Sequence, residues 1–320
     1  MSKISVIFIN RLRNFYRTGY QWVMIFSPLL FVVLELFLIY AVLESTMDDD
    51  DDDKEKEDDK EELISILFTC YFILFYILGQ CVSAQVFAFN PLNDKKMGLR
   101  QMMFMSGLNS FEYWTGLWMA DMLILAIPNL VFTAIMPIFE MIMKPSNIGY
   151  FVLVWFLFQA NYITVIYLFS HVFAGPESGG KALTGILSGG LLMLPLLLSS
   201  LLGGFIADDF GKFFANAASP FYFFDPFITG PAQLYLTCIE DSKYMSDWGF
   251  KLFNSLDPTY GVYVGVMIAQ FIVFFSLNLV IDTAVMNGYK KRSSHQGAEP
   301  PLLDVRQDVI DHENDVKSNS

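Results

Sequence analysis

Six apolar stretches, residues 22–43, 63–87, 116–139, 149–173, 182–206 and 260–286, are each long enough to cross a bilayer. A helical span needs about 20 such residues at ~1.5 Å each to pass a hydrocarbon layer about 30 Å thick. All six are uncharged or nearly so, and all are too long for soluble strands. Lipid offers backbone groups no partner, so the chain must close there as helices or as a barrel. The alternation that a barrel needs is missing. The fold class is therefore an all-α membrane protein with six transmembrane helices. Hydrophobic residues at 54% and aromatic residues at 16% agree, being above ordinary soluble usage. No small-residue cleavage site follows a short apolar core near Met1, so the start does not read as a signal peptide.

Orientation follows from the basic residues beside the spans. Lys3, Arg11, Arg13 and Arg17 precede the first, Lys95, Lys96 and Arg100 separate the second from the third, and Lys290, Lys291 and Arg292 follow the sixth. Six spans put all three clusters on one side, which the positive-inside rule makes cytoplasmic, together with both chain ends. A seventh apolar run, 213–236, holds Pro220, Pro226, Pro231 and Asp225. If it crossed, the last basic cluster would change sides. It reads as re-entrant or interfacial helices on the outer side, with Phe221, Tyr222, Phe223 and Phe224 near the headgroups.

The net charge of −13 is concentrated in two polar segments. Residues 44–62 hold thirteen acids against three lysines, a net −10, and residues 293–320 hold six acids against two bases. The first reads as an outer acidic loop that repels itself and stays solvated, with cation gathering as the other reading. The second reads as a polar cytoplasmic tail. Cys70, Cys81 and Cys238 make neither a disulfide framework nor a zinc spacing, and no metal site is expected. Before the first span, Ile4, Phe8, Leu12 and Phe15 share a helical face, with Arg11, Arg13 and Arg17 largely elsewhere. Residues 1–21 therefore read as an interfacial helix.

Between the second and third spans runs Asn93-Asp94-Lys95-Lys96-Met97-Gly98-Leu99-Arg100-Gln101, followed at once by Met102-Met103-Phe104-Met105-Ser106-Gly107-Leu108-Asn109-Ser110-Phe111-Glu112-Tyr113-Trp114. Its neighbours cross the membrane, so this block lies at a membrane face, where its methionines suit a protein partner. Residues 95–108 are expected to form a helix that Gly107 ends. Asn109 is expected to cap the next helix, with Glu112 as capping-box partner.

These residues resemble the membrane domains of ABC transporter subfamily A. There a charged coupling helix ends in a Met/Ser-Gly-Leu turn, a Tyr-Trp pair opens the next span, and an acidic residue follows, here Asp121. Weaker likenesses are Arg11-Leu12-Arg13-Asn14, Phe169-Ser170-His171-Val172-Phe173, Ser219-Pro220-Phe221 and Gly288-Tyr289. Subfamily G exporters share the architecture. The resemblance implies a six-span exporter-type domain over residues 22–292, and a coupling surface for a nucleotide-binding subunit at Lys95, Lys96, Leu99, Arg100, Met102, Met103 and Leu108. It also implies a second membrane half, homo- or heterodimeric, and a lipid or other amphipathic substrate. ATP and magnesium would be bound by the partner, with no cofactor on this chain and no nucleic-acid partner. The family's large outer domain is reduced here to residues 44–62, and its nucleotide-binding domain does not follow the sixth span. The alternative is a transport-inactive structural or assembly subunit that keeps the exporter fold.

Two stretches imitate nucleotide chemistry. Gly175-Pro176-Glu177-Ser178-Gly179-Gly180-Lys181-Ala182 nearly spells a phosphate-binding loop, but Ala182 stands where a hydroxyl should hold magnesium and no strand precedes it. It reads as a tight Gly-rich inner turn. Leu187-Ser188-Gly189-Gly190 lies within the fifth span and reads as small residues for close helix packing. Intramembrane polar residues are costly to insert, so they face helices or water. Glu35 carries two readings, a substrate path or state-dependent contact and a protonated carboxyl bonded to a neighbour. Asp121 is expected to bond the coupling region. Gln159, Asn161 and His171 in the fourth span, and Asn278 and Asp282 in the sixth, read as hydrogen bonds between helices.

Overall fold

The computed structural model describes residues 2–31, 33–34, 37, 54–135, 145–193, 225–239 and 260–296, and every regular element among them is helical. The chain divides into two units, residues 1–279 and 280–320. Of the second unit, the described residues are the helical stretch 280–296, which includes Asp282.

In the first unit, α1 (Lys3–Arg17) begins at Ser2, whose hydroxyl accepts the Ser5 amide at 3.3 Å, and α2 spans Gly19–Ile25. The longest element is α3 (Lys54–Lys96), with 43 residues. At ~1.5 Å per residue it is roughly twice as long as the hydrocarbon layer is thick. The acidic segment 44–62 is therefore not a loop throughout, since it is helical from Lys54 onward. The acidic residues from Lys54 onward are the first turns of the same helix that continues through the apolar stretch after them. Residues 44–53 lie outside the described residues.

Next come α4 (Leu99–Met105), α5 (Ser110–Ile135) and α6 (Ile148–Ser170). The helix α7 (Pro176–Gly185) continues as a π-helix over Ile186–Met193. Then follow α8 (Pro226–Ile239) and α9 (Tyr260–Gln296). Four helical segments are long and apolar enough to cross a membrane: Ile73–Lys96, Ser110–Ala134, Ile148–Ser170 and Tyr260–Gly288. They overlap four of the six expected spans. The other two, 22–43 and 182–206, fall only partly within the described residues, and Glu35 falls outside them.

The helix α6 is the hub of the first unit. It is apolar all round, and it buries Phe151, Val154, Trp155, Phe158, Tyr162 and Ile166 against α3, α5 and α8. Aromatic rings fill the middle layer. Trp155 lies 5.0 Å from Tyr76 and 5.2 Å from Phe132, and Phe158 lies 6.1 Å from Phe227. Within the apolar run 213–236, α8 starts where Pro226 fits the first helical position, behind Asp225, whose carboxylate accepts the Phe227 amide at 2.9 Å. Burial pushes the Asp225 carboxyl up to about 6, against the pull of that amide. Gly230 lets α8 sit down on α6, because a Cβ there would meet the Phe158 ring at 2.3 Å. Gly230→Ala is therefore expected to lower stability by about 1–3 kcal/mol through overpacking. Thermal unfolding of the purified protein reads this, and a companion Phe158→Leu change should recover part of the loss.

Candidate coupling site

Two glycines cut α4 out of the chain. Gly98, at φ 66°, ends α3 and redirects the backbone. Gly107, at φ 87°, closes α4 in a Schellman motif, with Leu108 N bonded to Met103 O at 3.1 Å and Gly107 N to Phe104 O at 3.0 Å. Side chains with a Cβ rarely take up this left-handed backbone. The helix between them is seven residues long, so the expected helix over 95–108 is corrected at both ends: Lys95 and Lys96 are the last turn of α3, and Leu108 lies beyond α4. The capping-box half appears as read, with Glu112 accepting the Asn109 amide at 3.0 Å.

The seven residues assigned to coupling separate into two faces. Lys96, Leu99 and Met102 point outward and are exposed, joined by Met97, Met105 and Phe111. Lys95, Arg100, Met103 and Leu108 are committed to the fold. The Lys95 ammonium donates to the carbonyls of His171 at 2.7 Å and Phe173 at 2.8 Å, where α6 ends. Arg100 is buried, with its guanidinium 4.5 Å from the centre of the Trp114 ring and 5.0 Å from that of Tyr113. Met103 and Leu108 pack against the core. Tyr113 donates to Asp94 at 2.8 Å, joining the two span ends that flank α4. The turn is thus held from beneath, and its outer face is rich in methionine with Lys96 beside it.

Beneath it lies a buried charge pair that joins four helices. Arg11 of α1 donates from Nε to Asp121 of α5 at 2.5 Å and from Nη2 to the Val86 carbonyl of α3 at 3.1 Å. Tyr167 of α6 donates to the other Asp121 oxygen at 2.7 Å. Asn90, with its amide oxygen turned to the guanidinium, accepts from Nη1 at 2.5 Å. Neither charged side chain reaches solvent. Asp121 therefore bonds α1 and α6 rather than the coupling turn. The opposite end of α1 does touch that turn: Lys3 donates to the Gly107 carbonyl and pairs with Glu112 at 3.7 Å. Between these anchors, a Cβ on Gly116 would lie 3.0 Å from Ile7 Cβ, so α1 runs alongside the first turns of α5. The member of this charge pair missed in the sequence is Arg11. Its signal was its spacing: it stands four residues from both Ile7 and Phe15, on the stripe that α1 buries.

Deeper in the bundle the polar residues bond one another across helices. Asn129 accepts from Tyr76 at 2.7 Å and from Gln80 at 3.2 Å, and Gln159 donates to Gln80 at 3.0 Å. Ser83 and Tyr162 lie 3.2 Å apart. Asn161 donates to the Met267 carbonyl of α9 at 2.9 Å, and His171 bonds Asn278 at 2.8 Å. Among the described residues no cluster fit to hold a metal ion occurs.

Both imitations of nucleotide motifs lie in helical backbone. The stretch 175–182 is the start of α7 and not a turn, because Gly175 and Pro176 open a helix. Cβ atoms on Gly179 and Gly180 would meet Leu92 at 2.9 Å and Gln85 at 3.1 Å, so these glycines serve the crossing of α7 with α3. Gly189 and Gly190, expected to pack closely, have open space beside them among the described residues and lie in the π-helical stretch.

Four membrane-length helices, three of them sharing a buried polar core, define an integral helical membrane protein. The model of the family described as ABC-2 family transporter protein matches residues 44–280, and the chain belongs to that family, as the membrane part of an ABC transporter. A comparison with curated proteins gives no match.

Proposed function

We propose that the chain is one membrane half of a subfamily A-like ABC exporter that moves lipid or another amphipathic substrate. Hydrolysis of ATP with magnesium takes place on a nucleotide-binding subunit outside these 320 residues. The observation that carries this reading is α4, a short helix whose outward face is apolar while its inward face is pinned by Arg100 and by the Schellman turn. Force on α4 reaches the bundle by two routes. One is direct, through Trp114 on α5. The other runs through Lys3 along α1 to the Arg11–Asp121 pair. The side carrying α4 is cytoplasmic in this reading, and the Asp48–Asp53 run is opposite. The open faces of Gly185, Gly189 and Gly190 suit close contact with a second membrane half, since small residues let helix backbones approach in lipid.

Affinity purification of the full chain from its native membrane tests the proposal. A nucleotide-binding subunit is expected to co-purify, and the complex should hydrolyse ATP. Recovery in fixed proportion within a complex that has no nucleotide-binding subunit would instead favour the assembly-subunit reading.

A further inference from the structure

Three thioethers stand exposed on the outward face of α4 and its flanks, beside the Lys96 ammonium. Met97 is 57% exposed, Met102 49% and Met105 77%, with Leu99 and Phe111 completing the apolar surface. Met103, next in the chain to Met102, is packed against the core, and Met267 is buried. Cys81 and Cys238 are buried as well. The contacts that hold the turn, Arg100 on its two rings and Leu108 N on Met103 O, lie on the inward side. A chemical change at the outward sulfurs therefore alters the surface and leaves the turn in place.

We propose that Met97, Met102 and Met105 form a reversible oxidation site that switches docking off; this rests on the coupling reading above. A lone pair on the thioether sulfur attacks one oxygen of hydrogen peroxide. The O–O bond breaks, a sulfur–oxygen bond forms, and water leaves after proton transfer. Sulfur is oxidised by two electrons and the peroxide is reduced by two. Methionine sulfoxide reductases reverse the step at the expense of a dithiol, which becomes a disulfide. Each sulfoxide places a strong, polar acceptor on the surface that a partner's apolar groove would cover, and an acceptor buried without a donor opposes that contact.

The test treats the full chain with hydrogen peroxide after its co-purifying nucleotide-binding subunit has been washed off, maps each methionine by peptide analysis, and then returns the subunit. Sulfoxide is expected about tenfold faster at Met97, Met102 and Met105 than at Met103 and Met267. Retention of the nucleotide-binding subunit and ATP hydrolysis per chain should fall together by about tenfold, and reductase treatment should restore both. Met102→Gln with Met105→Gln should reproduce the loss without oxidant. Equal oxidation at Met267 would overturn the site. Restored thioethers without restored retention would overturn the switch. If the untreated chain carries no nucleotide-binding subunit, the coupling reading fails and the switch with it, while the sulfoxide map still reports on the site by itself.

Discussion

Arg11→Met is expected to destabilise the protein by about 3–5 kcal/mol, because it leaves the Asp121 carboxylate buried without its counter-charge. Asp121→Leu should cost a similar amount by stranding the guanidinium. The double change Arg11→Met, Asp121→Leu should recover most of the loss, since apolar side chains of like volume often replace a buried pair at little cost. The cycle is measured by thermal unfolding in a single detergent, and the residual loss reports what Asn90, Val86 and Tyr167 contribute. Additive single losses would show that the two side chains do not depend on each other. The double variant also separates stability from coupling: it should fold, yet lose communication between α1 and the α5–α6 core.

Met102→Asp with Met105→Asp should weaken retention of the nucleotide-binding subunit by about 100-fold, or about 2.8 kcal/mol at 1.4 kcal/mol per tenfold. Both side chains are exposed, so elution on gel filtration and helical content should stay unchanged. Met103→Asp makes the contrasting case. It drives a charge into packed surface beneath Leu108, and it should lower stability before it touches docking. Equal behaviour of Met102 and Met103 would mean that the face of α4 is not what the partner reads.

What was legible in the sequence were features set by composition and local chemistry. Length and apolarity alone marked 63–87, 116–139, 149–173 and 260–286, and Gly107 and Glu112 announced a helix end and a helix start. What stayed hidden depends on direction and on partners distant in sequence. Nothing local distinguishes Met102, which is exposed, from Met103, which packs against the core. Lys95 and Arg100 looked like partner-facing charges, but a lysine beside a helix end and an arginine beside Tyr-Trp found acceptors and rings within the chain. Arg11 was grouped with Arg13 and Arg17 by charge, whereas helical spacing places it with Ile7 and Phe15. The acidic run from Lys54 looked like loop by charge density, but it opens the helix that continues through the apolar stretch after it.

The most direct measurement of the central claim is photo-cross-linking in the native membrane from a reactive side chain placed at position 105, compared with one at position 130. Met105 is 77% exposed on the coupling turn, and Leu130 is 70% exposed on the membrane-length helix α5. The account predicts that position 105 captures a polypeptide that binds ATP, and that position 130 captures lipid or a second membrane half but not that polypeptide. Capture of the ATP-binding polypeptide from position 130 and not from position 105, or its absence from both, would contradict it.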